Sequence, residues 1–219
     1  MIKRVKNEYQ YSADLVWAAA CAAYRINGGY FKYARVEDGQ VTVPTNRELV
    51  RMMLETPGPI TDGDRDQACR CRQDLSNAST LAALKNRLTE WGELSARMAN
   101  LETVTSDYEI SVITAMPKSW EQNTLRENTD SRLAHCDDQP VGRLNERVEL
   151  SGEIVRCNYS NRFNTFYTTV ITDDNRQVFF AYREQLAVGK QIRFCGRVKR
   201  HADRATQLSR VKLVKQEEV

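Results

Sequence analysis

Five short runs rich in β-branched and aromatic residues crowd into the last third of this 219-residue chain. They are Arg147–Cys157, Arg162–Thr172, Arg176–Tyr182, Lys190–Arg200 and Thr206–Lys215. Turn-forming clusters separate them: Asn158-Tyr159-Ser160-Asn161, Asp173-Asp174-Asn175, Leu186-Ala187-Val188-Gly189 and His201-Ala202-Asp203. Runs of this length and composition read as strands. Strands this short and this closely spaced leave bare edges unless they close on themselves, so a small barrel is expected.

The first hundred residues have a helical texture. Ser12 stands as an N-cap before the Ala-rich stretch Ala13–Ile26, and Asn27-Gly28-Gly29 ends it, because glycine takes a left-handed C′ conformation freely. Tyr30–Tyr33 and Gln40–Val43 flank Asp38-Gly39 and read as a small hairpin. Thr45-x-x-Glu48 fits a capping box that opens a helix carrying Leu49, Met52 and Met53 on one side, up to the break at Thr56-Pro57-Gly58-Pro59. Another helix starts after Thr61, with Asp62, Asp64 and Asp66 at its positive end. Leu81, Leu84, Leu88, Trp91, Leu94, Met98 and Leu101 recur at steps of three and four and read as one apolar stripe, chiefly for core packing. Tyr108–Val112 alternates like a strand that stops at Met116-Pro117. From Lys118 to Gly142 the chain is polar and reads as a linker with one short helix. The expected organisation is α+β. A mainly helical domain with a small hairpin covers 8–116, a polar linker 117–143, and a five-stranded barrel 144–216.

Several kinds of chemistry lack their residues. No apolar run approaches the ~20 residues of a membrane span, and no apolar stretch follows the basic segment Met1–Lys6, so neither a spanning helix nor a secretory signal is expected. Asp62, Asp64 and Asp66 start like a calcium loop, but Gln67 and Gln73 stand where such a loop needs Gly and Glu. Cys69 and Cys71 form C-x-C, with no second pair to complete a zinc site. Cys157 and Cys195 fall on barrel strands as small buried or half-buried residues, in keeping with a reducing, cytoplasmic setting. Phosphate-binding loops, nucleophile elbows and dinucleotide fingerprints are absent from the sequence. No metal, cofactor or catalytic residue is expected, and the protein reads as a non-enzyme.

Charge separates the two regions. Residues 141–219 hold 15 Lys and Arg against 9 Asp and Glu, a net +6, while residues 1–140 carry a net −3. A basic C-terminal region beside an acidic N-terminal one points to a polyanionic partner for the former.

Finer features make the barrel specific. Val148-Glu149-Leu150-Ser151-Gly152-Glu153-Ile154 has a glycine in mid-strand, where a first barrel strand must bend sharply. Gly196-Arg197-Val198-Lys199-Arg200-His201 is followed by Thr206-Gln207-Leu208-Ser209-Arg210-Val211. On these residues, the region 145–215 resembles OB-fold domains at the C-termini of phage and mobile-element DNA-metabolism proteins.

The resemblance implies a single-strand binding face on the second and third strands, framed by the loops between strands one and two and four and five. Such a face needs aromatic platforms for bases and cations for phosphates. The candidates are Tyr159, Arg162, Phe163 and Tyr167 from the first loop and second strand, and Phe180, Tyr182 and Arg183 from the third. Arg193, Arg197, Lys199, Arg200, His201 and Arg204 follow from strand four and its loop. Strand alternation allows only one of Phe166 and Tyr167 outside, and only one of Phe179 and Phe180. Tyr167, Phe180 and Tyr182 are taken as the outward set, a choice that a one-residue slip would reverse.

The expected function is therefore non-catalytic binding of single-stranded nucleic acid, DNA before RNA, by a phage-type replication or recombination accessory factor in the bacterial cytoplasm. The N-terminal helices would self-associate or dock on a partner protein, through the 81–101 stripe or the Met52-Met53 surface. The alternatives are a protein-interaction adaptor, a duplex-binding regulator using Arg65, Arg70 and Arg72, and a metal-dependent nuclease.

Overall fold

A computed structural model describes residues 10–214 of the chain. The expected domain limits at 8 and 216, the Met1–Lys6 segment and the last residue of the expected fifth strand, Lys215, lie outside the described residues. The chain divides into two units, Met1–Thr124 and Leu125–Val219.

In the first unit β1 (Tyr11–Ser12) leads into α1 (Ala13–Asn27), followed by β2 (Arg35–Glu37), β3 (Gln40–Val43) and α2 (Asn46–Glu55). Then come α3 (Asp62–Leu84), α4 (Glu90–Ala99), β4 (Thr103–Val104) and α5 (Asp107–Ala134), in which the boundary between the units falls. The small side chains of α1 let α2 and α3 approach closely, and Val16, Trp17 and Ala18 to Ala23 are all buried. Trp17 satisfies its buried indole by donating Nε1–H to the Met98 carbonyl at 3.3 Å. Gly28, at φ 64°, closes α1 as expected. Capping boxes at Thr45/Glu48 and Thr61/Asp64 open α2 and α3. Ser12 occupies the N-cap of α1 without a capping bond from its side chain.

Four expectations for this region need correction. The hairpin strand before Asp38-Gly39 is Arg35–Glu37, not Tyr30–Tyr33, and the turn pairs Glu37 with Gln40. The apolar stripe is not one face. Chain reversal at Asn86, with φ 51°, ends α3, and Thr89 caps a separate α4, which leaves Leu81, Leu84 and Trp91 exposed while Met98 is buried. Of the Met52-Met53 pair, only Met52 is exposed. Tyr108–Val112 is helix. Ser106 and Glu109 exchange capping bonds at its start, and Ile110, Ile113, Thr114 and Pro117 bury one face at helical spacing. The segment expected as a linker is accordingly helical as far as Ala134. Among the described residues no helix is long and apolar enough to cross a membrane.

The second unit is built on β5 (Arg147–Ser160), β6 (Thr165–Thr172), β7 (Gln177–Tyr182), β8 (Gln191–Ala202) and β9 (Ala205–Val214), closed into a barrel in the order β5-β6-β7-β9-β8. Every pairing is antiparallel except β7 with β9. The protein is thus α+β, a mostly helical region followed by a five-stranded OB-like barrel. Ile154, Val170, Val178, Phe180, Phe194, Val198 and Leu208 fill the interior, together with Val141 from the segment before β5. Gly152 pairs with Thr172 on one side and Ile192 on the other, so β5 serves both halves of the barrel. A Cβ there would lie 2.3 Å from the Ile171 carbonyl oxygen. Only glycine fits that crossing.

Candidate nucleic-acid interface

Alternation along five paired strands determines which side chains reach the outer wall. Thr168, Val170, Val178, Phe180 and Leu208 point inward and are buried. Their neighbours Thr169, Phe179 and Gln207 therefore point outward. The register aligns Arg156, Thr169, Phe179, Gln207 and Arg200 in one row across β5, β6, β7, β9 and β8. An aromatic ring thus sits mid-row on the wall, with a guanidinium at each end. A bulge at Val155 keeps Arg156 on the outside, and a second bulge between Val198 and Arg200 does the same for Arg200.

The next row holds Asn158, Tyr167 and Ala181. Tyr167 is outward and half-buried, as the sequence suggested, and meets Phe163 edge-on at 6.4 Å. Phe163 lies in the turn between β5 and β6 and is 60% exposed, with the Arg162 guanidinium 5.2 Å above its ring. Tyr159 is 51% exposed at the end of β5, tilted against Phe166 at 5.0 Å, and donates its hydroxyl to the Asn164 side chain. Arg162, Phe163 and Tyr167 therefore gather on one side of the β5–β6 hairpin, while Tyr159 lies with Phe166 on the other.

Two aromatic assignments are reversed. Phe180 is 0% exposed and packs on Phe194 at 5.3 Å, and Tyr182 shares its inward side, edge-on to Phe180 at 6.4 Å. The outward ring of β7 is Phe179. Val178 carried the signal. Val178, near the start of β7, is buried, and alternation from it places Phe179 outside.

The cations fall into two groups. Arg193 is tied to Glu149 at 2.8 Å, and Arg183 to Glu184 at 3.0 Å. Arg204 donates to Asp138 at 2.6 Å and to the Ala134 carbonyl at 3.0 Å, a fastening within the unit. Arg156 is paired with Asp130 on α5. Nearby, the Arg132 guanidinium bonds both oxygens of Glu153 and holds that carboxyl below the usual carboxylate range. By contrast Arg162, Arg197, Lys199 and Arg200 form no salt bridge among the described residues. His201 is exposed, its Nδ1 3.2 Å from the Thr206 hydroxyl, which also accepts the Val141 amide.

In the first unit, Arg72 is engaged by Asp14 and by the carbonyls of Ala99 and Leu101. Asp64 is a structural carboxylate, held by Arg25 and Thr61. Among the described residues no three His, Cys, Asp or Glu side chains are grouped to hold a metal. Neither a family model, nor a curated protein, nor a solved structure matches this chain.

Proposed function

We propose that the barrel binds single-stranded nucleic acid, DNA in the first instance, without catalysing a reaction on it. Bases would stack on Phe179, Tyr167 and the rim ring Phe163, while Arg200, Lys199 and Arg162 neutralise phosphates. The observation that carries this reading is the outward Phe179, set in one row with Arg200 and beside Tyr167. Stacking on flat rings tolerates any base, and free cations along the path give affinity that falls steeply with salt. Such a module suits an accessory factor in replication or recombination.

The test is fluorescence anisotropy of the full chain with labelled dT and rU oligomers at two salt concentrations. Salt-dependent binding of single strands, undiminished by duplex competitor, is the expected result. Absence of any salt-dependent binding refutes it, and displacement by duplex transfers the function to another surface. A second reading, a protein-docking role for the first unit, is favoured by the exposure of Leu81, Leu84 and Trp91, with Leu84 78% exposed.

A further inference from the structure

The barrel carries a second basic feature that the single-strand face does not use. A pocket of about 210 Å³ opens on the wall formed by β5, β8 and β9. It is lined by Arg147, Cys195, Gly196, Arg197, Arg210 and Lys212. Four cations and no carboxylate surround it. Glu149, the register partner of Cys195, is turned to Arg193. Arg147 donates to the Cys195 sulfur at 3.5 Å, a weak acceptor for a guanidinium. Arg197, Arg210 and Lys212 have no side-chain partner among the described residues. Glu149 acts electrostatically on Arg147 but is bonded to Arg193, so the four cations outnumber their counter-charge and an entering anion relieves their mutual repulsion.

The backbone adds an independent observation. Between Cys195–Lys212 and Arg197–Ser209 the register slips, so Gly196 faces both Arg210 and Val211. Arg210 sits in that bulge at φ 53°. Left-handed backbone is natural for glycine and unfavourable for arginine. Strain of this kind is retained where the surrounding structure exploits it, and bulges commonly re-aim a side chain. Here the bulge adds a fourth cation to the other three. Gly196, opposite the bulge, is itself closely packed, since a Cβ would stand 3.1 Å from Val211 and 3.3 Å from Leu208.

We infer that this pocket is a phosphate-binding site, and that the phosphate it takes is a phosphodiester of the strand bound on the Phe179 face. Arg197 belongs to the pocket and lies three residues from Arg200 on β8, about 10 Å along the strand. The free cations Arg200, Lys199 and Arg197 then form a continuous path from the stacking face to the pocket. The inference rests on the proposed single-strand function for the source of the phosphate, but not for the existence of the site.

Cys195 is a reporter placed inside the pocket, and exposed Cys69 in the first unit is an internal reference. The full chain is treated with iodoacetamide, and each cysteine is followed by mass spectrometry. One arm contains a dT oligomer of about 20 nucleotides, longer than the 4–16 that one OB-fold covers. Another contains inorganic phosphate alone. The variant R147Q/R210G removes two guanidiniums and places glycine where glycine is preferred, so the barrel should stay folded.

The expected result is that the oligomer slows labelling of Cys195 several-fold without affecting Cys69. In the variant that protection disappears, and the salt slope falls by about 0.7 for each phosphate no longer neutralised. If no oligomer binds, but inorganic phosphate slows Cys195 in the parent and not in the variant, the site stands and the single-strand reading falls. If the oligomer binds, neither ligand slows Cys195, and the variant keeps the parental salt slope, the site is refuted and the single-strand reading survives. Failure of both ligands to bind and to protect removes both.

Discussion

Phe179 and Phe180 are neighbours in the chain and lie on opposite sides of the barrel wall. Phe180 is fully buried against Phe194, while Phe179 stands outside in register with Thr169 and Gln207. One residue separates a fully buried ring that holds the fold together from a half-buried ring on the outer wall.

The two rings should respond differently to truncation. Phe179→Ala and Tyr167→Ala should each weaken single-strand binding by about 1–3 kcal/mol and leave the thermal transition of the barrel nearly unchanged. Phe180→Ala should instead destabilise the fold by about 3–5 kcal/mol. Anisotropy and circular-dichroism melts on the same three variants separate the cases. Equal losses of binding from Phe179→Ala and Phe180→Ala, both explained by unfolding, would place the stacking surface elsewhere.

Two arginines near the fourth strand should also part company. Arg200→Ala should lower the salt slope of binding by about 0.7, because it removes a free cation from the path. Arg204→Ala should cost about 1 kcal/mol of stability with little change in slope, because Arg204 is already committed to Asp138 and the Ala134 carbonyl. The measurement is the oligomer affinity across a salt series, beside a urea melt.

Gly152→Ala should destabilise the barrel by about 3 kcal/mol or more, since the added methyl would meet the Ile171 carbonyl and the Thr172 Cα within van der Waals distance. A melting temperature equal to the parent's would mean that β5 does not cross there.

Asp64 supplies the clearest pH dependence. Burial would raise its pKa, but hydrogen bonds from Arg25 and Thr61 outweigh that and hold it below the ordinary carboxylate range. With the folded pKa depressed, the stability this carboxylate contributes is present above about pH 4 and is lost as the pH falls through the folded value. Its side chain is 2% exposed and also caps α3, so Asp64→Asn should cost about 2–3 kcal/mol at neutral pH. In acid the gap between parent and variant should close, which paired urea melts at pH 7 and pH 3 would record.

Much of this architecture could be read from local chemistry. Gly152, the Asp38-Gly39 turn and the Thr45-x-x-Glu48 box each meet a backbone demand that few residues satisfy, so their sequence signals survive folding. Signals that depended on tertiary partners were less secure. The alternation in Tyr108–Val112 covers too few residues to tell a period of two from a helical face. The deciding information was the Ser106/Glu109 box just upstream. The Leu81–Leu101 spacing was helical throughout, yet the turn at Asn86 divides it between two helices. In the barrel, the aromatic pair in β7 offered two bulky rings of equal hydrophobicity, and they are distinguished only by alternation from the buried Val178, in agreement with the register with β6 and β9. The pocket cations were invisible as a group, since Arg147, Arg197, Arg210 and Lys212 come from three strands and one of them is aimed by a bulge.

The parallel pairing of β7 with β9 has a consequence for synthesis. The first three barrel strands can assemble as a meander, but the far side of β7 and one side of β8 find their hydrogen-bonding partner only in Ala205–Val214. A nascent chain halted before Ala205 would therefore display two bare sheet margins, ready to recruit other chains. Completion of the last ten-residue strand acts as the latch that makes the whole cylinder safe to release.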